Sequence, residues 1–148
     1  MTELVFFEVP RGAYAILRGA LDYADLPAAD LEQPGRLFFG LCDDRGLIGY
    51  IGLEGDGADR LVRSLVVLPG RRGIGHGSML VARLEAALPA GVERLHLLTT
   101  TAAPFFRRLG YADADRSQAP ACIAATEQFA ALCPASASYL AKTLDRIA

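Results

Sequence analysis

The sequence predicts one mixed α+β domain with its elements in the order β-α-β-β-β-α-β-α-β-α-β. Three observations predict it. Short apolar runs bounded by turn residues fill the first half, two of them joined by Asp43-Asp44-Arg45-Gly46, whose aspartates and glycine suit a tight hairpin. Later runs alternate with apolar residues at helical spacing, so an antiparallel first half leads into an alternating second half. The chain has 148 residues, 52% apolar and 22% charged, which is enough for one core and too little for two independent domains.

Leu4 to Val9 is an apolar run ended by Pro10 and reads as a first or edge strand. Gly12 to Tyr23 follows as a helix, with Ala13, Ile16, Leu17 and Leu21 at its spacing. After the polar stretch Asp25 to Gly35, Leu37 to Cys42 and Leu47 to Leu53 form the hairpin strands. A second turn, Gly55-Asp56-Gly57, leads into Arg60 to Leu68, so three antiparallel strands lie side by side. From Gly75, the residues Leu80, Val81, Leu84, Ala87 and Leu88 mark one face of a helix that Pro89 and Gly91 stop. Val92 to Thr99 is a strand, Ala102 to Leu109 a short helix closed by Gly110, and Tyr111-Ala112 begins another strand. A longer helix, Pro120 to Leu132, precedes Pro134, and the last strand covers Ser136 to Thr143. No internal repeat or long linker divides the chain, so residues 1–148 read as a single domain.

Fifteen basic against 17 acidic residues give a net charge of −2, which provides no basic field for nucleic acid or anionic lipid. The start, Met1-Thr2-Glu3-Leu4, has no signal-like pattern and no window approaches the ~18 apolar residues of a membrane span. A cytoplasmic location is expected. Cys42, Cys122 and Cys133 form neither a disulfide framework nor a C-x-x-C pair and are expected as buried, reduced thiols, with no metal.

The most informative stretch is Leu65-Val66-Val67-Leu68-Pro69-Gly70-Arg71-Arg72-Gly73-Ile74-Gly75-His76-Gly77-Ser78, a strand passing through a glycine-rich turn into a helix. Such a junction aims backbone N–H groups and the positive end of a helix at one point, and glycines let a phosphate come close. No Lys-Ser or Lys-Thr follows the last glycine, so the triphosphate P-loop fails. G-x-G-x-x-G is absent too, and the preceding strands are hairpins, so the dinucleotide fold does not fit. A diphosphate on another carrier remains.

Arg72-Gly73-Ile74-Gly75-His76-Gly77 resembles the R/Q-x-x-G-x-G/A motif of the GNAT acetyltransferase superfamily, with Val67 and Pro69 in its L-x-V-x-P lead-in. The resemblance implies the GNAT fold, a central, mostly antiparallel sheet of six to seven strands flanked by helices, and acetyl-CoA as cosubstrate. It implies that Arg72, Gly73, Ile74, Gly75, His76, Gly77 and Ser78 hold the CoA diphosphate. The backbone of Val66 and Val67, at a bulged strand end, would pair with the pantetheine amides. The block from Leu97 to Tyr111, ending Leu109-Gly110-Tyr111, is similar to the superfamily's next strand and short helix. It departs from the pattern at two positions. Phe106 stands where a tyrosine often protonates the leaving thiolate, and Thr99 where an asparagine is frequent. Phenylalanine has no proton to give, so that role passes to another group, to water, or to none. Phe105 and Phe106 either pack in the core or line the pantetheine channel.

The Leu-Leu-Thr-Thr run with its aromatic pair also resembles the acetyltransferase domain of N-acetylglutamate synthases. The stretch Ala124-Ala125-Thr126 to Phe129, then Leu132-Cys133-Pro134-Ala135-Ser136-Ala137, resembles ArsN-type acetyltransferases associated with arsenic-resistance gene sets. These resemblances imply an N-acetyltransferase acting by direct attack in a ternary complex on the primary amine of an amino-acid-like acceptor, an organoarsenical or other toxic analogue included. Ser136 matches the serine of the synthases' R-x-S pair, whereas Pro134 replaces its arginine, which counts against glutamate. The cysteines do not serve as metalloid ligands on this reading. Cys122 and Cys133 are eleven residues apart, and a continuous helix would separate them by ~16 Å.

Acetyl transfer to an amine needs a neutral nucleophile, a polarised carbonyl and a stabilised leaving group. Glu54, at a strand end, is the candidate base acting through water; its alternative is a solvated glutamate beside a turn. A backbone N–H near Val66 or Val67 suffices for the carbonyl. Arg63 or Ser64, but by strand alternation only one of them, would face the acceptor. Arg63 is favoured for gripping a carboxylate, and its alternative is a cross-strand surface charge. His76 is either a phosphate contact or simply exposed. Thr99 and Ser136 complete the acceptor side. Two other functions stay open: a non-catalytic acyl-CoA-binding module, suggested by Phe106, and a protein-tail acetylator, which the even charge balance does not favour. The expected partner is a small-molecule amine, and a homodimer is compatible with the sequence.

Overall fold

The computed structural model describes residues 3–73, 75–132 and 136–144. Strand β1 (Val5–Glu8) is followed by a 3-10 turn (Arg11–Ala13) and helix α1 (Tyr14–Tyr23). Strands β2 (Arg36–Asp43), β3 (Gly46–Glu54) and β4 (Asp59–Val67) come next, then α2 (His76–Ala86) and β5 (Arg94–Thr99). The chain continues through α3 (Ala103–Arg108), β6 (Ala112–Asp113), a 3-10 turn (Arg116–Gln118), α4 (Ala121–Ala124), a π-turn (Gln128–Leu132) and β7 (Ser138–Thr143). The strands form one sheet in the order β1-β2-β3-β4-β5-β7-β6. β4 and β5 run parallel, whereas β1–β2, β5–β7 and β6–β7 are antiparallel. The strands and helices read from the sequence are present except for the last helix, and helices flank a mostly antiparallel sheet of seven strands.

Contacts cluster into two units, Met1–Leu53 with Ser64–Leu88, and Glu54–Arg63 with Pro89–Ala148. The division falls inside β4, between Arg63 and Ser64, where Ser64 has φ 61°. Left-handed backbone is costly for a residue with a Cβ, and within a strand it interrupts the pleat as a bulge does. Leu61, Val62, Arg63 and Ser64 are all buried in succession, as Ile48 to Glu54 of β3 are, so burial does not single out one of Arg63 and Ser64.

The first unit packs Leu17 and Leu21 of α1 with Tyr14, Leu31, Phe38, Tyr50 and Val66. At Gly49 the two strands approach closely: a Cβ there would lie 2.2 Å from the Val66 carbonyl oxygen. Only glycine permits this spacing. The second unit buries Leu61, Leu95, Leu97, Leu140 and Ile123, with Phe106 and Phe129 set edge-on against Tyr111 and Tyr139.

The predicted helix over Pro120 to Leu132 is broken. Thr126 explains the break, because its hydroxyl donates to the Ile123 carbonyl (2.8 Å) and accepts from the Phe129 amide (3.3 Å), competing with the helical ladder. The helical separation of Cys122 from Cys133 therefore does not apply, and Cys133 lies outside the described residues. The expectation of buried thiols also fails for the other two. Cys122 is exposed and Cys42 half-buried, and both are free.

Candidate functional site

The glycine turn lies wholly in the first unit. Leu68 donates its amide to Ile48 (2.8 Å), which ends the pairing of β4, and the Arg71 amide donates to Leu68 (3.0 Å). Gly70, Gly73 and Gly75 then take φ of 84°, 91° and 77°, values that favour glycine, and nothing lies within 4 Å of where their Cβ atoms would be. The turn is thus lined by bare backbone. Gly75 is the N-cap of α2 and offers no side-chain cap, and the first turn holds no acidic residue. The first intrahelical bond runs from the Met79 amide to the Gly75 carbonyl (3.1 Å). The amides of His76, Gly77 and Ser78 therefore have no acceptor within the helix, and the helix's positive end is uncompensated by its own sequence. This is the chemistry of an anion cradle.

Two arginines flank the bend. Arg72 is exposed and returns Nε to the Val67 carbonyl (3.1 Å). Arg71 makes an ion pair with Asp43 and donates to the Leu47 carbonyl (3.4 Å). The hydrogen bond from Arg71 holds the Asp43 carboxyl below the usual aspartate range. His76 directs Nδ1–H at the Arg71 carbonyl (2.8 Å), which fixes the ring against the turn. Val66 is buried and Val67 half-buried at the strand end. Ile74 lies outside the described residues.

A second set of predicted residues meets in the other unit. Arg63, fully buried, donates Nη1–H to Glu54 Oε1 (2.7 Å), whose side chain is only 5% exposed. The Gln128 carboxamide, oriented with its oxygen toward Arg63, accepts from Nε (3.0 Å) and Nη2 (3.2 Å). Both edges of the guanidinium are thereby occupied. Arg63 consequently does not offer a free fork to an acceptor carboxylate, and Glu54 is a buried, ion-paired carboxylate, not a solvated one. Gln128 was absent from the sequence reading. The signal available for it was weak, a polar residue beside Phe129 in a stretch read as one continuous helix.

The remaining candidates serve local structure as well. Thr99 accepts the Ala102 amide at its hydroxyl (2.9 Å) and so holds the turn that leads into α3. Phe106 is buried edge-on to both Phe105 (5.0 Å) and Tyr111 (5.5 Å), which favours core packing, whereas Phe105 is half-buried. Ser136 is exposed in the turn before β7.

A third cluster had not been anticipated. His96, 2% exposed, bonds to the Tyr139 hydroxyl through Nδ1 and to Asp59 through Nε2, each at 2.7 Å, and Arg94 pairs with Asp59 at 3.1 Å. Burial, more than the neighbouring charges, raises the Tyr139 pKa above 10.0. The sequence signal was a lone histidine in the apolar run Arg94-Leu95-His96-Leu97-Leu98. Among the described residues no group of His, Cys, Asp and Glu could hold a metal, and no helix is long and apolar enough to cross a membrane.

Comparison with known proteins bears on the family and the fold. Residues 34–113 match the family model described as an acetyltransferase (GNAT) domain. No curated protein matches the chain. Among solved structures, N-acetylglutamate synthase from Neisseria gonorrhoeae, complexed with coenzyme A and L-arginine, superposes with a TM-score of 0.77 at 20% identity. That match covers 97% of this chain and 34% of the synthase, so the chain spans about a third of its length. A GNAT-family acetyltransferase from Staphylococcus aureus gives 0.72 at 15% identity, covering 97% and 100% of the two chains. The PaiA N-acetyltransferase from Thermoplasma acidophilum, in complex with coenzyme A, gives 0.68 at 14% identity over 96% and 99%. At these identities the structural likeness establishes the fold.

Proposed function

The chain belongs to the GNAT acetyltransferase family, and on that premise we propose that it moves acetyl from acetyl-CoA to the primary amine of a small amino-acid-like acceptor, by direct attack in a ternary complex. The observation that carries the reading is the open, glycine-lined bend whose helix start has neither a side-chain cap nor an acidic residue. Acetyl-CoA supplies an activated thioester and a diphosphate handle. The amides of Gly75 to Ser78 hold that handle, with His76 seated against the turn and Arg72 at its edge. The backbone of Val66 and Val67, just beyond the Ser64 bulge, pairs with the pantetheine amides and polarises the carbonyl. Phe105 lines the channel, while Phe106 supports it from the core.

Glu54 takes the proton of the acceptor ammonium through water, and Arg63 holds that carboxylate in place. This replaces the carboxylate-gripping role first read for Arg63, because its guanidinium is already engaged. Ser64, Thr99 and Ser136 contribute to the acceptor side. The likeness to N-acetylglutamate synthase supports an α-amino acid or analogue, and an organoarsenical amino acid falls in that class. Residues 1–148 act as a single catalytic domain on this reading.

Acetyl-CoA is mixed with a panel of amino acids and analogues, and release of free CoA thiol is followed. Turnover on at least one α-amine is expected. Replacing Gly75 by valine puts a Cβ into left-handed backbone, at roughly 1–2 kcal/mol, and into the cradle. Unchanged CoA affinity in that variant would refute the placement. A second reading, an acyl-CoA-binding module without catalysis, is favoured by the buried Phe106, which carries no proton donor. CoA binding with no turnover on any amine would select it.

A further inference from the structure

The groups that hold the diphosphate on the reading above are chiefly main-chain amides of a glycine-rich bend, and such a bend does not hold its own shape. Glycines at 70, 73 and 75 leave the bend with the largest conformational freedom any sequence offers. Something outside the glycines must fix it before the ligand arrives. Arg71 is the residue at which the fixing contacts converge. Its amide donates to Leu68 (3.0 Å), and its carbonyl accepts from His76 Nδ1 (2.8 Å). Its guanidinium reaches Asp43 at the end of β2 and the Leu47 carbonyl (3.4 Å) at the start of β3. One residue thus ties the turn to two strands behind it and to the helix ahead of it.

We infer that Asp43 and Arg71 are positioning residues for cosubstrate binding, their ion pair clamping the diphosphate turn in its binding shape while His76 locks the turn to α2. The inference rests on the turn being the CoA site. Neither residue contacts the ligand on this account, the guanidinium of Arg71 being engaged with Asp43 and the Leu47 carbonyl. A bare surface ion pair would be worth little. This one is different in placement: the side chains are 14% and 9% exposed, and the second contact to a backbone carbonyl fixes the guanidinium plane. Clamping a loop in advance raises affinity by removing the ordering cost from the binding step.

A charge-only role for the pair makes the opposite forecast. Neutralising Asp43 would remove a negative charge near an anionic ligand and release a cation toward it, so CoA would bind more tightly. The clamp predicts weaker binding in spite of that. The experiment measures Kd for CoA and for pantetheine, which lacks the diphosphate, in the wild-type chain and in Asp43→Asn, Arg71→Lys and Asp43→Glu. Expected is a loss of about three- to tenfold for CoA in Asp43→Asn and Arg71→Lys, the ordering of one or two side chains. Pantetheine affinity should stay unchanged, and Asp43→Glu should recover most of the CoA loss. In turnover assays the KM for acetyl-CoA should rise with kcat retained, which a general loss of folded protein would not produce. Equal or tighter CoA binding in Asp43→Asn, or equal losses for CoA and pantetheine, overturns the clamp while leaving the site reading intact. Failure of the wild-type chain to bind CoA overturns the site reading and the clamp with it.

Discussion

Replacing Gly49 with alanine tests the architecture on which the cosubstrate reading depends. The added Cβ would stand 2.2 Å from the Val66 carbonyl oxygen and 3.1 Å from both Val67 Cα and Leu80 Cδ1. Leu80 can turn aside, but a carbonyl in a strand cannot, so β4 itself must move by about an ångström. Overpacking of this kind costs roughly 1–3 kcal/mol. Against it stands the gain from a less flexible unfolded chain, about 0.4–1 kcal/mol. The clash wins, leaving a net loss on the order of 1–2 kcal/mol, or a fall in Tm of about 2–8 °C for a domain of this size. Gly19 is the control. It lies inside α1, is exposed, and nothing stands within 4 Å of its Cβ position, so Gly19→Ala should raise Tm by a helix-propensity gain of roughly 1 kcal/mol. Because Gly49 presses on Val66 and Val67, the Gly49 variant should also raise the KM for acetyl-CoA, and the Gly19 variant should not. Thermal unfolding by circular dichroism and steady-state kinetics measure both. A Gly49→Ala chain as stable as wild type would refute the close approach and the reasoning built on it.

The other perturbations act on the second unit. Arg63→Met strands a buried Glu54 carboxylate and should cost about 3–5 kcal/mol, read from denaturant midpoints; a loss under 1 kcal/mol would mean that Glu54 finds water or another partner. Glu54→Gln keeps an acceptor for Arg63 and should lower kcat far more than stability, whereas an unchanged kcat would remove Glu54 from the base role. Tyr139→Phe leaves His96 Nδ1 without its hydroxyl at 2.7 Å and should cost roughly 1–3 kcal/mol. The raised pKa of Tyr139 also sets a sign: the folded chain keeps a proton that the unfolded chain releases above the ordinary value of 10.0. Stability should therefore fall as pH rises past that value and be insensitive to this group below it, and the Tyr139→Phe chain should lose that alkaline slope.

Much of the fold was legible because its signals are local. The Asp43-to-Gly46 hairpin, the glycine bend and the helix from Gly75 each depend on residues within a few positions of one another. The failures share a different origin. Thr126 breaks the predicted helix by a side-chain hydrogen bond that competes with the ladder, and helical periodicity does not report such a bond. Ser64 adopts φ 61° with nothing in its residue type to demand it, so the irregularity inside β4 leaves no mark in the sequence. The glycine bend with its uncapped helix start could be read in the chain because backbone and glycine make it. The contact of Gln128 with Arg63, and of His96 with Asp59 and Tyr139, could not, since segments distant in sequence bring them together.

Phe106 sharpens the remaining question about the proton. Conversion of an alkylammonium and a thioester to an amide and a thiol releases one proton, and two transfers matter on the way: removal from the ammonium and delivery to the departing sulfur. On the proposed reading Glu54 serves the first, and at position 106 there is a buried phenylalanine with nothing to donate. A thiol has an ordinary pKa near ~8.5, so the sulfur can depart as thiolate and be protonated by solvent without a dedicated acid. That makes the shape of the pH profile decisive. With a base and no acid, kcat/KM for the amine should rise with pH as the acceptor loses its proton, then level off. An enzyme acid would bend it into a bell. A descending limb between about pH 8 and 9.5, in a range where the fold is stable, would establish a proton donor elsewhere in the chain and refute the acid-free route.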